Sequence, residues 1–78
     1  QVSIQPNPSI INPIITHNIP QNETFSFTLY DASGRKLKEF SNPASPFTIE
    51  TSGMAEGTYW LQCSYKGQKI SKGLVHLD

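Results

Sequence analysis

A single cysteine, Cys63, excludes an internal disulfide, so packing and strand pairing must hold the fold without help. That scarcity does not assign a reducing compartment, because many periplasmic and surface domains also lack bridges. Neither sign of charge is in excess: six Lys and Arg balance six Asp and Glu. A nucleic-acid or anionic-membrane partner requires concentrated positive charge, so neither is expected. No apolar run approaches the roughly 20 residues that cross a bilayer, and no membrane insertion is expected. Gln1 to Gln5 lack the basic start and apolar core of a signal peptide, and their strand-like alternation suggests a piece of a longer protein. Ala, Glu and Leu are sparse beside Ser, Thr, Ile, Pro and Asn, which favours strands and turns over helices.

The 78 residues are expected to form one domain, 1–78, near the lower size limit for unaided folding. Its densest apolar stretch is Gly57-Thr58-Tyr59-Trp60-Leu61-Gln62-Cys63. Tyr59, Leu61 and Cys63 share one parity against Thr58, Gln62 and Ser64, the mark of a strand with one buried face. Gly57 opens this strand and Lys66-Gly67 closes it.

The other segments arrange themselves around it. Val2 and Ile4 alternate in a short strand ended by Pro6-Asn7-Pro8, whose prolines remove two backbone donors. Residues 14–19 read as a second strand ending at Pro20, and residues 24–31 as a third, with Phe25, Phe27 and Leu29 on one side. Asp31-Ala32-Ser33-Gly34-Arg35 predicts a tight hairpin, because Asp can accept from an amide two residues on and Gly34 can take a positive φ. A return strand over 36–40 leads to a proline-containing loop, residues 41–46, suited to crossing between sheets. Phe47, Ile49 and Thr51 then alternate, and residues 52–56 form a turn that tucks in Met54. A hairpin at Tyr65-Lys66-Gly67-Gln68 precedes a last strand over 69–77, where Ile70, Leu74 and Val75 are expected to pack on the sheets. About seven short strands of this kind predict an all-β fold, a small antiparallel immunoglobulin-like β-sandwich. Phe25, Phe27, Leu29, Ile49, Tyr59 and Leu61 are its expected core.

Little here supports chemistry. Cys63 lies on the buried parity, and His17 and His76 lack the clustered partners a metal site needs, so both read as ordinary strand residues. Glu23, Glu39, Glu50 and Glu56 are scattered singly, without an acid–base pair. No enzyme, metal or cofactor is expected. Asn22-Glu23-Thr24 matches a glycosylation tripeptide that recurs by chance. Trp60 has the opposite parity to Tyr59 and Leu61; with Tyr30 and Tyr65 it could make a sugar-stacking strip, or it could cover the second face of the sheet. The first option defines an alternative function, a carbohydrate-binding or adhesive immunoglobulin-like module.

Four signals occur in fixed order: Pro6-Asn7-Pro8, Asp31-Ala32-Ser33-Gly34-Arg35, Met54-Ala55-Glu56-Gly57-Thr58-Tyr59 and Lys69-Ile70-Ser71-Lys72-Gly73-Leu74-Val75. In this order and spacing they closely resemble the type A C-terminal sorting domain of the type IX secretion system. The resemblance implies a non-catalytic secretion signal that directs an N-terminal cargo domain across the outer membrane. It further implies transit through the periplasm, recognition by the translocon and an outer-membrane shuttle protein, and removal by a sortase that can anchor the cargo at the cell surface. Carried over by position, Pro6, Asn7 and Pro8 mark the start of the domain, and Asp31, Gly34 and Arg35 form the hairpin motif. Gly57 and Tyr59 open the central strand, and Lys69 and Lys72 lie in the terminal signal strand. Departures are Met54, where leucine is usual, Gly73 within an often more basic strand, and Asp78 in place of a terminal cation.

Overall fold

A computed structural model describes residues 2–77; Asp78, the acidic terminal departure, lies outside the described residues. Seven strands run through these residues: β1 (Val2–Gln5), β2 (Ile14–His17), β3 (Phe25–Tyr30), β4 (Lys36–Ser41), β5 (Phe47–Thr48), β6 (Gly57–Tyr65) and β7 (Gln68–His76). They form a three-stranded sheet in the order β1-β2-β5 and a four-stranded sheet in the order β4-β3-β6-β7. Every named pairing is antiparallel. The result is the small immunoglobulin-like sandwich that the alternation predicts.

β6 is the organising strand because it is the longest of the strands paired on both sides. It pairs with β3 from Phe25↔Tyr65 to Tyr30↔Trp60, and with β7 from Gly57↔His76 to Tyr65↔Gln68. Tyr59, Leu61 and Cys63 point inward and are buried, whereas Thr58 and Trp60 point outward. All six expected core residues are buried, and Ile15 and Leu74 join them with no exposed surface. The turn from β6 to β7 has only two central residues, Lys66 at φ 53° and Gly67 at φ 74°. Two positive φ values define the I′ turn, whose twist matches that of the flanking strands. The 42–46 segment carries the chain from β4 in one sheet to β5 in the other. The Gln5–Pro6, Asn7–Pro8 and Ser45–Pro46 peptides are cis.

Three expectations need correction. β2 stops at His17, not Ile19, because the His17 ring folds back and accepts a hydrogen bond from the Ile19 amide (3.1 Å), turning the chain out of the sheet. β5 pairs over only two residues, although the in–out alternation continues through buried Ile49 and Thr51. Their partners are instead loop groups: the Ile49 amide donates to Pro13 and the Thr51 amide to Asn12. In β7, Leu74 is buried as expected, but Ile70 is 51% exposed and Val75 36%. Val75 lies beside Thr58 on the outer face. Ile70 has inward parity, opposite Cys63, but stands on an edge strand at the rim of the gap between the sheets.

The histidines are also more engaged than ordinary strand residues. Both are buried, and His17 bonds the Pro43 carbonyl through Nε2 (2.8 Å) while its backbone amide donates to Ser45 Oγ. His76 stacks edge-on to Tyr59.

Candidate functional site

The hairpin motif is self-contained. Asp31 Oδ1 accepts from the Ser33 amide (3.0 Å), the Ser33 hydroxyl (2.7 Å) and the Arg35 amide (2.9 Å). Its Oδ2 meets Arg35 Nε at 3.2 Å. Gly34 supplies the positive φ, 90°, that lets its amide reach the Asp31 carbonyl. The Ser33 hydroxyl bond leads the effects that hold the Asp31 carboxyl below its ordinary value of 3.8, followed by the Arg35 amide. A carboxyl depressed on folding stabilises the native state above the unfolded value and loses that contribution as pH falls through the folded one. Asp31→Asn is therefore expected to flatten the fall of melting temperature below about pH 4 relative to wild type. Parallel acid limbs in the two proteins would contradict this.

The second motif is a corner. Tyr59, near the start of β6, donates its hydroxyl to the Ala55 carbonyl four residues upstream. This is the tyrosine-corner arrangement of immunoglobulin-like sandwiches, and it fixes the loop between Thr51 and Gly57. Asp31, Ser33 and Arg35 face Met54, Gly57 and Tyr59 across an open cleft of about 590 Å³. The hairpin and corner motifs, distant in sequence, thus share one end of the molecule. Met54 is half-buried against the core, as expected for the position.

The Pro6-Asn7-Pro8 motif lies elsewhere, on the free edge of β7. The Asn7 side chain donates from Nδ2 to the Gly73 carbonyl (2.9 Å) and accepts at Oδ1 from the Val75 amide (3.0 Å). Ser9 continues the cover: its amide donates to the Val75 carbonyl and its carbonyl accepts from the Leu77 amide, both at 2.8 Å. Sequence reasoning treated the triplet as a strand terminator and missed this contact. The available signal is that an asparagine between two prolines is the one residue of the triplet with polar side-chain groups to offer.

The side chains of Lys69 and Lys72 are exposed and make no hydrogen bond or ion pair among the described residues. Register places Lys69 beside Ser64 and Lys72 beside Leu61, hence on opposite faces of the sheet. Gly73 faces Trp60: a methyl at its Cα would lie 3.3 Å from Trp60 Cζ3, so the indole covers the glycine. Trp60 remains 45% exposed with Tyr30 as its cross-strand neighbour. Tyr65 is not part of that strip. β6 extends to Tyr65 in the inward parity, and its ring packs edge-on to buried Phe25. Among the described residues, no three His, Cys, Asp or Glu side chains converge to hold a metal.

These features define a class: a small immunoglobulin-like β-sandwich module closed without a disulfide. A family model described as secretion system C-terminal sorting domain matches residues 3–76, and the chain belongs to that family. It is thereby a C-terminal sorting signal of the type IX secretion system, a role that implies delivery across the outer membrane to the surface or extracellular space; the family is not an enzyme family. No curated protein matches the chain.

Proposed function

We propose that residues 1–78 act as one portable domain whose terminal strand, β7, is what the export machinery reads. On this reading the domain follows its cargo in the same polypeptide and folds in the periplasm. The translocon and an outer-membrane shuttle protein then engage it, and a sortase removes it and can anchor the cargo at the cell surface. The observation that favours β7 is a division of labour among the motif residues. Asn7, Asp31, Gly34, Arg35 and Tyr59 all bond within the fold, whereas Lys69 and Lys72 project unpaired from the last strand.

Residues 1–78 fused behind a periplasm-directed fluorescent protein in a type IX-competent bacterium are expected to carry the reporter outside the cell. A folded fusion retained in the periplasm would refute the sorting role for this chain. Lys69→Gln combined with Lys72→Gln is expected to change the melting temperature little, since exposed substitutions of unpaired side chains fall within about 0.5 kcal/mol each. Export of the double variant should nonetheless slow. Wild-type export of a folded double variant would show that the lysines are only solvated surface.

Trp60 with Tyr30 keeps the adhesive alternative testable. A glycan whose binding is lost in Trp60→Ala would support it; unchanged export of that variant is expected here, because Trp60 serves to cover Gly73.

A further inference from the structure

β7 is an edge strand, and the fold covers only half of that edge. In an antiparallel ladder, successive residues alternately face the neighbouring strand and turn their backbone groups away from it. The bonds of Asn7 and Ser9 to the Gly73 carbonyl, both Val75 groups and the Leu77 amide show that odd-numbered residues face away from β6. By the same alternation, the amides and carbonyls of Lys69 and Ser71 and the amide of Gly73 point outward. No backbone or side-chain group among the described residues pairs with them.

Two further features adjoin this open half. On its inner side lies a cavity of about 140 Å³ whose lining is mostly apolar, Val2, Ile19, Pro20, Cys63 and Ile70 among it, with Asn18 and Gln68 as its polar members. Around it the chain is locally cationic: residues 57–77 contain Lys66, Lys69 and Lys72 but no carboxylate, although the chain as a whole is neutral.

The geometry points to strand addition: an extended segment of a partner protein, carrying Asp or Glu around an apolar residue, pairs with β7 along residues 69–73. The open backbone groups of Lys69, Ser71 and Gly73 set its register. Its apolar side chain lies beside Ile70 over the cavity, and its carboxylates meet Lys69 on the outer face and Lys72 on the inner. A second copy of this chain fits poorly. Antiparallel self-pairing about Ser71 would bring four lysines onto one short seam with no carboxylate, and edge lysines oppose such pairing. This inference deepens the proposed role of β7 and rests on β7 being the part that the export machinery meets.

The test uses two synthetic peptides, one built on Glu-Thr-Val-Glu, which in antiparallel register sets its glutamates beside Lys72 and Lys69 and its valine beside Ile70, and one with lysines in place of the glutamates, and reads amide hydrogen exchange in the domain. The glutamate peptide is expected to slow exchange at Lys69, Ser71 and Gly73 by about tenfold or more, leaving Ile70 and Lys72, already bonded to β6, little changed. The lysine peptide should have no effect. Ser71→Pro removes an outward amide that β6 does not use, a tolerated place for proline on an edge, and should abolish peptide binding. If that variant melts early, the site-resolved exchange of the wild type decides by itself. Equal protection by both peptides, protection centred on exposed Ile10 and Ile11, or none at residues 69–73 overturns strand addition. Export is scored separately. A domain that exports cargo but gains no protection at 69–73 keeps its sorting role and loses this inference, while one that binds the peptide and fails to export does the reverse.

Discussion

Phe27→Ala is expected to leave the domain largely unfolded near 37 °C. Phe27 has no exposed surface and sits among three rings, with centroids 5.5 Å from His17, 6.2 Å from Phe25 and 5.3 Å from Phe47. It also bridges the sheets, since β3 and β5 belong to different ones. Truncating such a phenylalanine costs about 3–5 kcal/mol through lost transfer energy and the cavity left behind. Stability of about 0.05–0.15 kcal/mol per residue gives a chain of this size about 4–12 kcal/mol in all, and no disulfide restrains the unfolded state. The substitution therefore removes much or all of the margin. Urea unfolding followed by tryptophan fluorescence would measure it, with Ile10→Ala as the control: Ile10 is 70% exposed, and its truncation should fall within about 0.5 kcal/mol of wild type. A Phe27→Ala loss as small as the control's would mean that the two sheets are not held together by this cluster.

His17→Phe separates packing from hydrogen bonding in the same cluster. The Ile19 amide can only donate and the Pro43 carbonyl can only accept, so Nδ1 is the acceptor and Nε2 carries the hydrogen. Phenylalanine keeps a ring among Phe25, Phe27 and Phe47 but strands the Ile19 amide and leaves the Pro43 carbonyl with only Gln21 Nε2, at 3.2 Å. Stranding a partly buried donor costs about 1–3 kcal/mol, so His17→Phe should lose about that much despite the added apolar surface. His17→Ala should lose more, because it also opens a cavity. Matching stability of wild type and His17→Phe would show that the ring matters only for its shape and that the 42–46 crossing is held by other contacts.

Asn42 is one of those contacts. Held at φ 48°, it donates its backbone amide to the Phe25 carbonyl, while its side chain accepts from the Phe25 amide and donates to the Glu23 carbonyl. Asn12 does the same for Thr51, accepting from both its amide and its hydroxyl, and Asn7 for Gly73 and Val75. Three loop asparagines thus fasten their loops to segments 17 to 68 residues away in sequence. A short side chain with both a donor and an acceptor can imitate a peptide group, and so substitutes for strand pairing where proline or a bend interrupts it.

The sequence by itself determined the sandwich, its central strand, the inward set from Phe25 to Leu61 and the two hairpin turns at Gly34 and at Lys66-Gly67. Each of these follows from a period of two or from a backbone conformation that few residues adopt, and both are local properties. The four ordered motifs likewise identified the family. Only the tertiary structure decided where those motifs meet: the Asp31 hairpin and the Tyr59 corner across one cleft, Asn7 on the edge of β7. It also turned Tyr65 inward, left Ile70 exposed and stopped β2 at His17. Parity tells which way a side chain points but not whether another layer stands over it. That depends on how far each sheet extends and on which edge is covered, and both are set by contacts between residues far apart in the chain.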